Sequence, residues 1–178
     1  MEQVDRVTIE RIPTGIPGLN ELIENGFPFP SVILVSGSAG TGKTTLSLRF
    51  LCEGAKHGEK GLFFTTLSEP THWMLRFASQ FEFMRPEYFN DDIVYVDLGD
   101  LLRSGDSSRL IDTIEDHIAK VIPQRIVFDP ISVVGDMFKG DYRSFLFDLT
   151  NRLRHWNAVT LLTGEVKPGE LYPPEISY

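Results

Sequence analysis

Five short apolar runs alternate along the chain with longer stretches whose apolar residues recur at a helical period. Residues 31–36 (Ser-Val-Ile-Leu-Val-Ser) form a β-branched run that enters a glycine-rich loop, as a buried strand does. Residues 61–66, 93–96, 125–129 and 158–163 repeat the pattern and predict four more strands. Between them, residues 44–57 predict a helix that closes near Gly58. Pro70 suits the first position of a second helix, because its missing N–H has no partner there anyway. That helix would carry Trp73, Met74, Phe77, Phe81 and Met84 on one stripe. A loop holding Gly99 and Gly105 leads to a helix with Leu110, Ile111, Ile114, Ile118 and Val121 facing one side. Tyr142, Phe145, Leu146, Leu149 and Leu153 mark a fourth helix, and Trp73 and Trp156 fall on apolar stripes as core residues. Alternating strands and helices with near-continuous apolar strands predict an α/β fold, a mainly parallel sheet covered on both faces. No linker divides it, so residues 1–178 are expected to form a single domain.

The first loop carries candidate chemistry. Gly37-Ser38-Ala39-Gly40-Thr41-Gly42-Lys43-Thr44 matches G-x-x-x-x-G-K-[ST], with Thr45 following, between a predicted strand and a predicted helix start. Glycines let backbone N–H groups curl round an anion, and the helix N-terminus adds unpaired donors and the positive end of its dipole. In such a loop Lys43 reaches the β- and γ-phosphates of a nucleoside triphosphate, and the Thr44 hydroxyl ligates Mg²⁺. Asp129 closes the strand 125–129, where an acidic residue can hold the metal's hydration shell; ligands gather at the carboxyl ends of parallel strands. Glu69 follows the strand 61–66 and precedes Pro70. It is a candidate base for an attacking water, or a carboxylate that simply complements a helix N-terminus. Glu165, after the last strand, either senses the γ-phosphate or is an exposed surface residue.

Composition narrows the classes. The chain has 178 residues, enough for one full core, and a formal net charge of −8. An acidic balance weighs against a dedicated nucleic-acid binder, which needs Lys and Arg to displace counterions. Cys52 is the single cysteine, so neither an intrachain disulfide nor a thiolate cluster is expected. The N-terminus lacks the pattern of a signal peptide and no apolar run is long enough to span a bilayer, which points to the cytosol. The four histidines have no metal-ligand spacing.

Several segments together resemble the KaiC-like branch of the RecA-type ATPases. They are Ile12-Pro-Thr-Gly-Ile-Pro-Gly-Leu-Asn-Glu-Leu-Ile23, Asn25-Gly-Phe-Pro28, the phosphate loop, Thr66-Leu-Ser-Glu-Pro70, Leu75-Arg76, Asp129-Pro-Ile-Ser132 and Thr163-Gly-Glu165. The resemblance covers almost the whole chain. It implies a sheet of the additional-strand type, with the Thr163 strand between the phosphate-loop and Asp129 strands and the Glu69 strand beyond Asp129. It also implies ATP with Mg²⁺, a homo-oligomer in the form of a hexameric ring, nucleotide between subunits and, as in the clock proteins of this family, self-phosphorylation.

Two departures qualify what the resemblance implies. The clock proteins have adjacent glutamates where this chain has Ser68-Glu69, and the first is the usual base. Neighbours on an extended segment point to opposite sides, so Glu69 does not automatically stand in for it. Similar domains also run several dozen residues past the position of Tyr178, through strands that reach the neighbouring subunit's phosphate. The sequence therefore reads as one truncated at its C-terminal end. Ser177 falls near the clock proteins' phosphorylated pair, although a solvated terminal serine explains it better. Three functions fit: an oligomeric regulatory Mg-ATPase, a nucleotide-binding switch with little hydrolysis, or a recombinase-like DNA-dependent ATPase. Small-metabolite kinases share the loop but not the other segments.

Overall fold

The computed structural model describes residues 9–66, 74, 76, 79–137, 142–166 and 169. A small antiparallel ribbon comes first. It pairs β1 (Arg11–Ile12) with β2 (Phe27–Pro28) around a single helical turn, α1 (Leu19–Leu22). Local chemistry fixes the connection: the Asn20 side chain accepts from both the amide and the hydroxyl of buried Thr14. Arg11 donates to the carbonyls of Ile23 and Gly26 at 3.1 Å each. Gly26 has φ 138°, and a Cβ there would lie 2.2 Å from the Ile12 carbonyl oxygen. Gly26→Ala is therefore expected to cost about 2–3 kcal/mol, from a strained backbone plus a clash with main chain that cannot swing away. A urea titration reads it as a lower midpoint with an unchanged slope.

The main sheet has five parallel strands in the order β3-β7-β6-β4-β5: β3 (Ser31–Gly37), β4 (Gly61–Thr65), β5 (Ile93–Asp97), β6 (Arg125–Asp129) and β7 (Val159–Glu165). The last strand in sequence thus sits between the first and the Asp129 strand, as the resemblance implies. Side chains alternate across the pleat. Phe63, Val127 and Leu161 pack under α2 (Lys43–Lys56) with Leu48 and Leu51. Leu62, Phe64, Ile126, Phe128 and Leu162 face the opposite layer. That layer is built from α5 (Ser107–Val121) and α7 (Tyr142–His155), through Leu110, Ile114, Ile118, Leu146, Leu149 and Leu153. Fully burying each Leu, Ile or Phe contributes ~1.5–3 kcal/mol, so the two cores carry the fold. Cys52 belongs to the α2 core beside the Met84 sulfur at 3.3 Å. Burial pushes its thiol up to about 12, against the pull of Arg49, so it stays protonated and acts as a small apolar group.

A charged side chain also lies deep in the core. Arg125, at the start of β6, is 1% exposed. It donates to the carbonyls of Pro13 and Phe50 at 2.8 Å each, pairs with Glu59 at 2.5 Å and lies over the Phe50 ring. It joins the N-terminal segment, the middle of α2 and the sheet at a single point.

Three local expectations change. The segment from Gly99 is a helix, α4 (Gly99–Ser104), rather than a loop. The Asp97 carboxylate accepts the Gly99 amide at 2.8 Å, Leu98 and Leu102 are both buried, and Gly105 at φ 70° ends the helix. Phe81 does not join the core: it is 43% exposed, in a turn, stacked on Phe83. Met74, by contrast, is helical and buried. Trp156 packs against the α5/α7 core from just beyond the end of α7. Two short helices, α3 (Tyr88–Asp91) and α6 (Ser132–Met137), complete the described elements. Among the described residues, no helix is long and apolar enough to cross a membrane.

Candidate functional site

The loop between β3 and α2 lies at the carboxyl end of the parallel strands. Gly40 and Gly42 adopt φ 76° and 89°, left-handed values that L side chains rarely accept. They turn the chain back so that α2 begins at Lys43, and no side chain caps its first amides. A helix start of this kind is a ready anion site. The Lys43 ammonium donates to the carbonyls of Gly37 and Ser38 at 2.8 Å each, and the Thr41 hydroxyl also donates to Ser38 at 2.8 Å. Lys43 is thus folded across the mouth of its own loop. Among the described residues no carboxylate pairs with it.

Asp129 ends β6 and is 7% exposed. Its Oδ2 accepts the Thr44 hydroxyl at 2.6 Å, and its Oδ1 accepts the Thr163 hydroxyl from β7. The turn after it is stitched to both neighbouring strands. The Thr66 hydroxyl donates to the Pro130 carbonyl at 2.7 Å, the Ile131 amide to the Thr163 carbonyl at 2.8 Å, and the Glu165 amide to the Ser132 hydroxyl at 3.3 Å. Parallel register sets Glu165 opposite Gly37 at the base of the loop.

These groups surround one cavity of about 330 Å³. Residues Gly40 to Thr45 form one wall, with Asp129 and Glu165 beside them. Phe63 and Tyr95, stacked at 5.4 Å, and Met74 close the side toward β4 and β5. An ammonium and a carboxylate therefore share the cavity without an ion pair between them. A hydroxyl that gives its proton to Asp129 keeps its own lone pairs free.

Of the residues singled out from sequence, Gly40, Thr41, Gly42, Lys43, Thr44, Thr45 and Asp129 meet at this cavity. Gly37 and Ser38 take part through their carbonyls, and Ala39 is an exposed loop residue. Glu165 is exposed yet lines the cavity. Ser68, Glu69 and Ser177 lie outside the described residues. Sequence reasoning missed Thr163 as a partner of Asp129. The signal was a hydroxyl at the end of the strand that the resemblance places next to Asp129.

A family profile described as the KaiC ATPase matches residues 12–174. The circadian clock oscillator protein KaiC of Parasynechococcus marenigrum (strain WH8102) is 31% identical over 169 residues, which is 90% of this chain and 33% of that protein. The circadian clock protein KaiC3 of Synechocystis sp. is 32% identical over 167 residues, covering 88% of this chain and 33% of its own length. The chain thus spans about a third of the length of these curated relatives. Among solved structures, the KaiC-like protein PH0186 from Pyrococcus horikoshii OT3 superposes with a TM-score of 0.80 and 31% identity, covering 92% of this chain and 74% of that one.

Proposed function

Because the chain belongs to the KaiC family of ATPases, we propose that it binds ATP with Mg²⁺ at the loop of residues 37–45 and Asp129. The observation that carries this reading is the hydrogen bond from Thr44 to Asp129, which joins the start of α2 to the end of β6 across 85 residues of sequence. It brings a hard oxygen donor and an adjacent carboxylate to the mouth of an anion-binding loop, the donor chemistry that Mg²⁺ favours. Thr44 and Asp129 would hold the metal, Thr44 through its hydroxyl oxygen and Asp129 through metal-bound water. Bound there, Mg²⁺ supplies charge neutralisation at the phosphate oxygens.

The chain's own residues do the rest. Loop amides and the start of α2 receive the phosphates. Lys43 exchanges the carbonyls of Gly37 and Ser38 for phosphate oxygens, a charge-assisted and stronger bond. Glu165 stands at the base of the loop, placed to respond to the terminal phosphate. Glu69 is the candidate base that orients and deprotonates water. We extend the proposal to a homo-oligomer with a regulatory role, in which neighbouring subunits complete the site.

Asp129→Asn tests the reading. Metal-free ATP affinity should hold, while the gain conferred by Mg²⁺ should fall by about tenfold, roughly the effect of removing one charge-assisted contact. An Mg²⁺ titration that matches wild type would remove Asp129 from the metal side.

A second reading is favoured by Ser68, at the position where the resemblance puts the usual base: a switch that cycles by binding and release. Phosphate release measured against ATP occupancy separates the two.

A further inference from the structure

Resting on that reading, we propose that Thr163 is a positioning residue. Its hydroxyl fixes the rotation of the Asp129 carboxylate, so that one oxygen stays aimed at Thr44 and the metal side of the cavity.

An aspartate's terminal torsion is broad and roughly two-fold, so packing at Cβ alone does not decide where its oxygens point. Here each oxygen has its own donor from a different element. Thr44 on α2 donates to Oδ2, and Thr163 on β7 donates to Oδ1. Thr163 is fully buried. Its backbone is held as well, because its carbonyl accepts the Ile131 amide at 2.8 Å and it lies opposite Val35 in the β3–β7 register. The donor is therefore rigid, whereas Thr44 sits on the loop-helix junction that meets the ligand.

The pairing has a consequence for the metal. A carboxylate offers about four acceptor positions. Thr163 takes one on the oxygen away from the loop, so Oδ2 remains the oxygen that faces Thr44 and the waters of a bound cation. Without the Thr163 proton, Oδ1 would be a buried acceptor lacking this partner, and the carboxylate would gain by turning toward other donors. Supporting groups of this kind commonly change metal affinity tenfold or more without touching the ion.

The experiment compares Thr163→Val, Thr163→Ser and Asp129→Asn with wild type by calorimetric titration of ATP, once with EDTA and once with saturating Mg²⁺. Thr163→Val keeps the shape and removes only the hydroxyl. The expected result is a Mg²⁺-dependent gain reduced about five- to tenfold, metal-free affinity within about twofold of wild type, and recovery in Thr163→Ser. Thr163→Ala is measured alongside, in case the valine variant does not fold. A merely structural role would weaken binding equally with and without metal, and that outcome overturns the proposal. So does a hydroxyl-free variant that keeps the full Mg²⁺ gain while Asp129→Asn loses it; the phosphate-loop reading would then stand alone. If wild type shows no Mg²⁺ gain, both fall together.

Discussion

An Arg125→Ala protein should melt about 10 °C below wild type, a loss of ~3–5 kcal/mol in a chain of this size. The side chain is 1% exposed and serves four partners: two carbonyls, the Glu59 carboxylate and the Phe50 ring. Truncation leaves the Pro13 carbonyl without this donor and opens a void between α2 and β6. Glu59 is itself only partly buried and can turn to water, so it limits the cost rather than adding to it. Arg125→Lys should recover little, because a single ammonium cannot reproduce the planar fork. Gly54 faces the same point, where a Cβ would lie 2.5 Å from Arg125 Nε, so the guanidinium fills space that only a glycine leaves open. Thermal denaturation followed by circular dichroism reads the effect. A midpoint within about 2 °C of wild type would mean that Arg125 contributes less than ~1 kcal/mol.

Lys43→Ala should weaken ATP binding by at least ~10–100-fold, since one charge-assisted contact is worth ~1.5–3 kcal/mol and Lys43 can serve two phosphates. Stability should barely change, because the lysine's only described bonds are to two carbonyls of a loop at the surface. The two variants therefore separate cleanly: Arg125→Ala alters melting and Lys43→Ala alters binding. A fluorescent ATP analogue is the simplest probe. Binding by Lys43→Ala within about threefold of wild type, under ~1 kcal/mol, would dismiss the loop as the phosphate site.

Where the sequence was legible, the reason is that one physical signal dominated. The strands ending at Gly37, Thr65 and Asp129 are near-continuous apolar runs, and a two-sided sheet permits little else. The loop was legible because glycines, lysine and threonine occur at fixed offsets between a strand and a helix. Strand order came from the resemblance, since nothing in the run 158–163 says which neighbours it pairs with. Arg125 opens an apolar strand, and nothing local marks it as buried; it meets the Pro13 carbonyl, 112 residues away. The helix at Gly99 was hidden by its glycine, whose low propensity is outweighed by Leu98 and Leu102 in the core. Phe81 fitted a helical period, but the chain has already turned there. The role of Thr163 needed tertiary geometry, because a hydroxyl is informative only once its acceptor is known.

The strand order also governs how the protein can be made. β3 leaves the ribosome early and, among the described residues, pairs only with β7, the last described strand in chain order. At ~5–20 residues per second, translation leaves the phosphate-loop strand waiting roughly 6–25 s for its partner. β4, β5 and β6 can pair meanwhile, so a half-sheet can form before the two halves of the site exist as neighbours. Thr44 and Asp129 then come into register only when β7 slides between β3 and β6. Until then the Thr44–Asp129 bond that closes the cavity has not formed.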